Sequence, residues 1–318
     1  MRVLIGYDGS DCAEAALDDL QRAGLPKSAE ALVVSVTELA FPFPPPSTHE
    51  IVELAREIHV PADLSRAYAT ASSASQEAQT LAERAATRLR ASFPSWTINA
   101  EGAVGSPASE LIKRSDEFTP DLIIVGSHGR SKLESLVLGS VSQRVLSETN
   151  WSVRVARGRV EEPDTPVRIV VGVDSSPASK AAVHEVASRL WPQKSEVRLI
   201  TAADRLTPTF LGGIIPPVGK IIDEINQTED LWLEEELEQL SRQFEQTELT
   251  ISTEIVAGNP KRELINAAER WAADCIFVGS GNFSNRLERF VLGSVSQAVA
   301  SRARCSVEVV RPRQPGHN

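Results

Sequence analysis

The chain is poor in cysteine and histidine, short of positive charge and free of long apolar runs. Its three cysteines, Cys12, Cys275 and Cys305, are scattered, odd in number and without C-x-x-C spacing. That argues against a disulfide framework or a zinc site and fits buried packing in a reducing compartment. The five histidines, His49, His59, His128, His184 and His317, form no ligand cluster. No stretch approaches the roughly 18 to 20 apolar residues of a membrane span. The opening MRVLIGYDGS runs directly into a strand pattern, so the expectation is a cytoplasmic chain without a signal peptide. Lys and Arg number 33 against 43 Asp and Glu, a net charge of −10. Long-range repulsion then weighs against nucleic acid or an anionic membrane as partner.

What the chain does contain is itself, twice. VLIGYDGS (3–10) matches IVVGVDSS (169–176), aligning Asp8 with Asp174. VGSPASELI (104–112) matches AGNPKRELI (257–265), PDLIIVGS (120–127) matches ADCIFVGS (273–280), and WSVRVAR (151–157) matches CSVEVVR (305–311). Four anchors in one order mark a duplication. At 318 residues, each copy can bury a core of its own. The expected division is 1–158 and 167–318, with a linker at 159–166 where PDTP disfavours strand and helix.

Within each copy, short Val/Ile-rich runs alternate with helical patterns. Strands are expected near 2–7, 31–37, 96–103, 121–126 and 152–156, and again near 167–173, 196–202, 249–257, 274–279 and 306–310. Runs such as LIIV suit strands covered on both faces. The fold class is therefore α/β, with two tandem doubly wound, open, parallel five-stranded sheets. SVRVA (152–156) and SVEVV (306–310) alternate Val with charge, as partly exposed edge strands do. The proline-dense AFPFPPPSTHE (40–50) and its counterpart LGGIIPPVGK (211–220) follow strand two, as surface connections or as flaps over a ligand. The helices near 63–92 and 223–246 read as amphipathic, with Leu and Phe in a core and a solvated acidic face.

The chemistry concentrates after strand four. Gly126 and Gly129 let backbone approach a ligand, and Gly139-Ser140-Val141-Ser142 opens a helix whose free N–H groups attract an anion. Ser140 and Ser142 add hydroxyl donors. This is not the P-loop, which needs a Gly-Lys-Ser/Thr ending, nor the G-x-G-x-x-G fingerprint after strand one. Asp8, at the tip of strand one, is placed to accept from a ribose hydroxyl or an adenine amine.

Gly126-x2-Gly129-x9-Gly139-Ser140 resembles the nucleotide-binding pattern of the universal stress protein family. The Asp8 strand, the Gly105-Ser106-Pro107 element and the last valine-rich strand are similar too, so the resemblance covers nearly the whole chain. It implies a Rossmann-like fold of the adenine nucleotide α-hydrolase type and a stress-response regulatory module that binds ATP, with or without Mg²⁺, with weak or no ATPase activity. Asp8 would meet the adenosine, Val36 would line the adenine pocket, Gly126 and Gly129 would face ribose and phosphates, and Gly139, Ser140, Val141 and Ser142 would hold the phosphates. Arg130 and Lys132 lie in the spacer. The family also implies pairing of domains through the last strand, placing Arg154 and Glu308 near a seam, with a homodimer open.

The second copy departs from the pattern. Asp174, Gly279, Gly293, Ser294, Val295 and Ser296 are retained, but Asn282 or Phe283 stands in place of Gly129. An impaired second site is expected beside a competent first one. Two other classes stay open: a slow ATP hydrolase or adenylate-transferring enzyme, and a scaffold that binds no nucleotide.

Overall fold

Runs such as Leu122-Ile123-Ile124-Val125, too apolar to face water on either side, form the central strands. The first half contributes β1 (Arg2–Gly6), β2 (Glu30–Thr37), β3 (Thr97–Val104), β4 (Leu122–Gly126) and β5 (Ser152–Ala156). The second contributes β6 (Arg168–Val173), β7 (Glu196–Ala203), β8 (Thr250–Ala257), β9 (Cys275–Gly279) and β10 (Ser306–Val310). Between them lie α1 (Asp11–Asp19), α2 (Ala62–Ser92), α3 (Pro107–Phe118) and α4 (Ser140–Glu148), then α5 (Pro177–Ala187), α6 (Pro216–Ser241), α7 (Pro260–Arg270) and α8 (Ser294–Arg302). The computed structural model describes residues 1–38, 62–129, 138–157, 162–203, 205, 216–280 and 292–312. The segment 40–50, residues 211–215, Arg130, Lys132, Asn282 and Phe283 lie outside them.

Local chemistry sets the helix starts. Ser10 accepts the N–H of Ala13, Ser176 that of Ser179 and Asn259 that of Lys261, while Pro107, Pro177 and Pro260 occupy first turns where a missing N–H costs nothing. Strand order is β3-β2-β1-β4-β5-β10-β9-β6-β7-β8, two parallel doubly wound halves in one sheet. On one face a single core runs across both halves, joining Leu4, Leu111 and Leu146 to Val170, Leu264 and Val299. On the other face two separate cores form, one under α1 and α2 and one under α5 and α6.

The halves meet where β5 and β10 run antiparallel, with Arg154 opposite Glu308. The half-exposed character read from the alternation of Val and charge does not hold: Arg154 is 1% and Glu308 0% exposed. Each strand covers the other's edge, and the charges are matched inside. Arg154 Nε donates to Asp19 Oδ2 at 2.5 Å and Nη1 to Glu308 Oε2 at 3.3 Å. Arg189 Nη1 donates to the same Glu308 oxygen at 2.9 Å and also to the Ala23 carbonyl. Burial opposes charge on Arg154, but the carboxylates, Asp19 foremost, hold its pKa above the ordinary value.

A second pair of arginines fastens the seam almost symmetrically. Arg157 Nη2 donates to the Ala300 carbonyl of α8 at 2.6 Å, and Arg311 Nη2 to the Leu146 carbonyl of α4 at 2.6 Å. Each guanidinium thus caps the C-terminal turn of a helix in the opposite half, where the helix dipole favours a cation. With carbonyls as its acceptors, Arg311 is pushed down by burial to about 10. The cysteines nearby are free thiols, and burial pushes Cys305 up to about 12.

Removing Arg154 takes the guanidinium from the part-buried Asp19 and leaves the buried Glu308 to Arg189 alone. Arg154→Met is expected to lower unfolding free energy by about 3–5 kcal/mol, the usual effect of deleting one partner of a buried ion pair. Urea unfolding checks this, and a loss below about 1 kcal/mol would mean that the carboxylates find water instead.

Candidate functional site

From β1 the chain steps outward to β2 and β3, then crosses back to β4 on the other side of β1. β1 and β4 are neighbours, with Leu4 beside Ile123, so their outgoing connections part and leave a crevice at this switch point. Asp8 follows β1 and Gly126 ends β4. The second half repeats the arrangement with β6 and β9, Asp174 and Gly279.

In the first crevice Asp8 Oδ1 accepts from the Ser10 N–H at 3.0 Å and the Ser10 hydroxyl at 2.6 Å. Gly129 lies directly above, so that a Cβ there would stand 2.8 Å from Asp8 Oδ2. Gly126 presses on α1, where a Cβ would come 3.0 Å from the Cys12 carbonyl. Gly139 donates its N–H to Ser127 O at 2.8 Å and opens α4 without a side-chain cap. The N–H groups of Ser140, Val141 and Ser142 therefore have no acceptor in their own helix. Ser140 is exposed, Val141 half-buried and Ser142 buried. Val36 sits at the same strand edge and packs against the core that Val141 also joins.

One expected donor points elsewhere. The Ser142 hydroxyl donates to the Gly126 carbonyl at 2.6 Å, so what it offers a ligand is its backbone N–H. His128 Nδ1 lies 3.2 Å from Ser127 Oγ, and its Nε2 is buried with no hydrogen-bond partner among the described residues.

A polar cluster under Asp8 escaped the sequence reading. Tyr7 donates to Glu14 Oε1 at 2.5 Å, and Glu14 and Asp18 bind Arg88, with Arg84 also on Glu14. The signal was available: Glu14 and Asp18 on α1, and Arg84 and Arg88 on α2, are each four apart on one helical face. Burial and the Glu14 hydrogen bond push the Tyr7 pKa up to about 12. Burial works against the Glu14 carboxylate, but Tyr7 and Arg88 outweigh it and hold that carboxyl below its usual range.

The second crevice has the same skeleton under different constraints. Asp174 is exposed and accepts from the Ser176 N–H at 3.1 Å. Gly279 is jammed against α5, since a Cβ would fall 2.2 Å from the Ala178 carbonyl carbon. Gly293 opens α8, again without a side-chain cap, and donates to Ser280 Oγ at 3.4 Å. Ser294 is exposed, Val295 half-buried, and the Ser296 hydroxyl donates to Gly279 O at 2.7 Å. In both copies, then, the second serine of Gly-Ser-Val-Ser ties the helix start to the strand-ending glycine. Among the described residues no group of three or more His, Cys, Asp or Glu could hold a metal ion, and no helix is long and apolar enough to cross a membrane.

This shared tie accounts for the repeated segment without any ligand. Ser142→Ala and Ser296→Ala are each expected to cost about 1 kcal/mol of ligand-free stability, as one lost hydrogen bond does. Unchanged urea midpoints in both variants would remove the structural role. Tyr7 also sets an alkaline limit. Its raised folded-state pKa makes its contribution full below about 10, the unfolded value, and lost as pH climbs to about 12. The stability difference between wild type and Tyr7→Phe should shrink across that window; a difference independent of pH there would contradict the assignment.

Comparison with known proteins agrees with this architecture. The profile of the universal stress protein family matches residues 1–157 and again 167–311. A universal stress protein from Mycolicibacterium smegmatis is 29% identical over 221 residues, covering 68% of this chain and 70% of that protein. One from Methanocaldococcus jannaschii is 32% identical over 146 residues, 45% of this chain and 81% of that one. The crystal structure of a universal stress protein from Archaeoglobus fulgidus superposes with a TM-score of 0.60 at 20% identity, covering 98% of both chains. The chain belongs to the universal stress protein family, carrying its domain twice in tandem.

Proposed function

We propose that the chain is a stress-response regulatory module whose first domain (1–158) binds ATP at the β1/β4 crevice, and whose second domain (167–318), beyond a linker at 159–166, binds it poorly or not at all. The observation that carries this is α4, which opens with three amides uncapped at Gly139, itself bonded to the Ser127 carbonyl just past β4. Gly129, where any Cβ would push the Asp8 carboxylate aside, supports a backbone cradle for ribose and phosphate. The residues present fit a polyphosphate. Asp8 and Val36 would receive the adenosine, Gly126 and Gly129 the ribose and first phosphates, and Gly139, Ser140, Val141 and Ser142 the remaining phosphates. Mg²⁺ would be carried on phosphate oxygens and water.

In the second domain Asp174, Gly279, Gly293, Ser294, Val295 and Ser296 keep the frame. The loop lacks the second glycine, which favours occupancy of one site. Weak or no hydrolysis is part of this reading: Ser127 Oγ lies 3.2 Å from His128 Nδ1, but the ring's Nε2 has no partner among the described residues to orient it as a base.

The nucleotide content of freshly purified protein, followed by ATP titration calorimetry, tests the proposal. About one ATP per chain is expected, weakened at least about 10-fold by Gly129→Phe, which thrusts a ring at Asp8, and unaffected by Gly293→Phe. Two per chain would mean that the drifted loop is tolerated. No ATP and no heat on adding ATP with Mg²⁺ overturns the reading, and steady phosphate release abolished by Gly129→Phe would make the chain an enzyme.

A further inference from the structure

Helix α6 carries two apolar faces where one would suffice. Its inner face is the expected one: Leu233, Leu237 and Leu240 are buried in the second domain's core. The outer face is not the solvated surface that the acidic composition suggests. Ile221 (54% exposed), Ile225 (46%) and Trp232 (53%) fall at intervals of four and seven and share one side of the helix, with Leu231 (67%) exposed beyond the Glu224/Glu235 flank. The ridge runs for about 16 Å at 1.5 Å per residue. Of the large hydrophobic residues exposed on the described surface, all but Leu190 belong to this helix.

The fold does not require such a ridge. The corresponding helix of the first domain, α2, exposes Thr70, Ser72, Ser73, Ser75, Gln76 and Glu77 instead. Nor is the ridge set in neutral surroundings. α6 contains eight acidic residues against one basic residue, Lys220. Helical geometry sets Glu224 and Glu235 along one flank of the ridge and Glu229 along the other. None of these three is in an ion pair among the described residues, and burying an apolar ridge between rows of carboxylates favours a partner that brings cations.

We infer that the outer face of α6 is a docking site for a basic amphipathic helix, its apolar stripe laid along Ile221, Ile225 and Trp232 and its Lys or Arg residues reaching the flanking carboxylates. Its anchors fall one and two turns apart, the spacing at which an amphipathic helix is read. A second copy of the chain is the poorer occupant, because it would set one acidic row against another. The inference is independent of nucleotide binding.

The test uses the full-length protein and a fluorescent 18-residue helix of Leu and Lys in amphipathic order. Two controls accompany it: the same Leu positions with Glu for Lys, and a scrambled Leu/Lys peptide. Saturable anisotropy is expected for the ordered basic peptide alone, weakened at least about 10-fold by Trp232→Ser or Ile225→Ser, as hot-spot anchors are. These side chains are exposed, so circular dichroism and thermal midpoints should be unchanged. Equal binding by either serine variant, or by the scrambled or acidic peptide, overturns the site. So does a concentration-dependent dimer that Trp232→Ser dissociates, which would hand the ridge to a second copy. The fluorescence difference between wild type and Trp232→Phe should be open to acrylamide quenching in the free protein. Shielding there would mean that another part of the chain already covers the ridge, and the proposal fails.

Discussion

The molecule depends on a charge balanced out of reach of water. Arg154 and Glu308 face each other across the β5/β10 ladder, both buried. Desolvating either ion alone would cost several kcal/mol. Asp19 completes the coordination of Arg154, and Arg189 that of Glu308, so four groups from both halves neutralise one another. This arrangement lets two edge strands close into one sheet, and the closed sheet lets a single core run beneath both halves on the α4/α8 face.

The candidate site inherits its rigidity from this frame. The α4 amides are fixed at one end by Ser142 on the Gly126 carbonyl, and the helix is held at its other end by Arg311 from the opposite half. The same logic holds α8 through Ser296 and Arg157. A short helix clamped at both ends presents its N-terminal dipoles in one direction, the preorganisation that anion binding rewards. The repeated VLGSVSQ segment thus serves the frame in both halves. Ahead of it, Gly129 brings backbone against Asp8 in the first half.

Much of this was legible in the sequence because it is local. Valine-rich runs bounded by Asp-Gly, Ser-Pro and Asn-Pro pairs announce parallel strands and helix starts, and each of the ten strands lies within a residue or two of where the pattern puts it. Asp8 is far in sequence from Gly126, Gly129 and Gly139, but a strand-end rule brings it to their crevice. What was illegible depends on distant partners. Alternating Val and charge in SVRVA and SVEVV looks half-exposed until the opposite strand supplies the counter-ion. The serine hydroxyls look free until the strand-ending carbonyl is seen to take them. In α6, periodicity merged two apolar faces into one, because Leu231 and Trp232 are sequence neighbours of the core residue Leu233.

The placement of Arg154 against Glu308 has a consequence for the chain's history. In a symmetric antiparallel pair only the residue on the two-fold axis meets its own counterpart, and here that position holds Arg154 and Glu308. Were either half to pair with a copy of itself through the same strand, Arg would be buried against Arg, or Glu against Glu. The fused chain has given up that interchangeability. Its halves are complementary parts rather than duplicates, each held in place by its fit to the other.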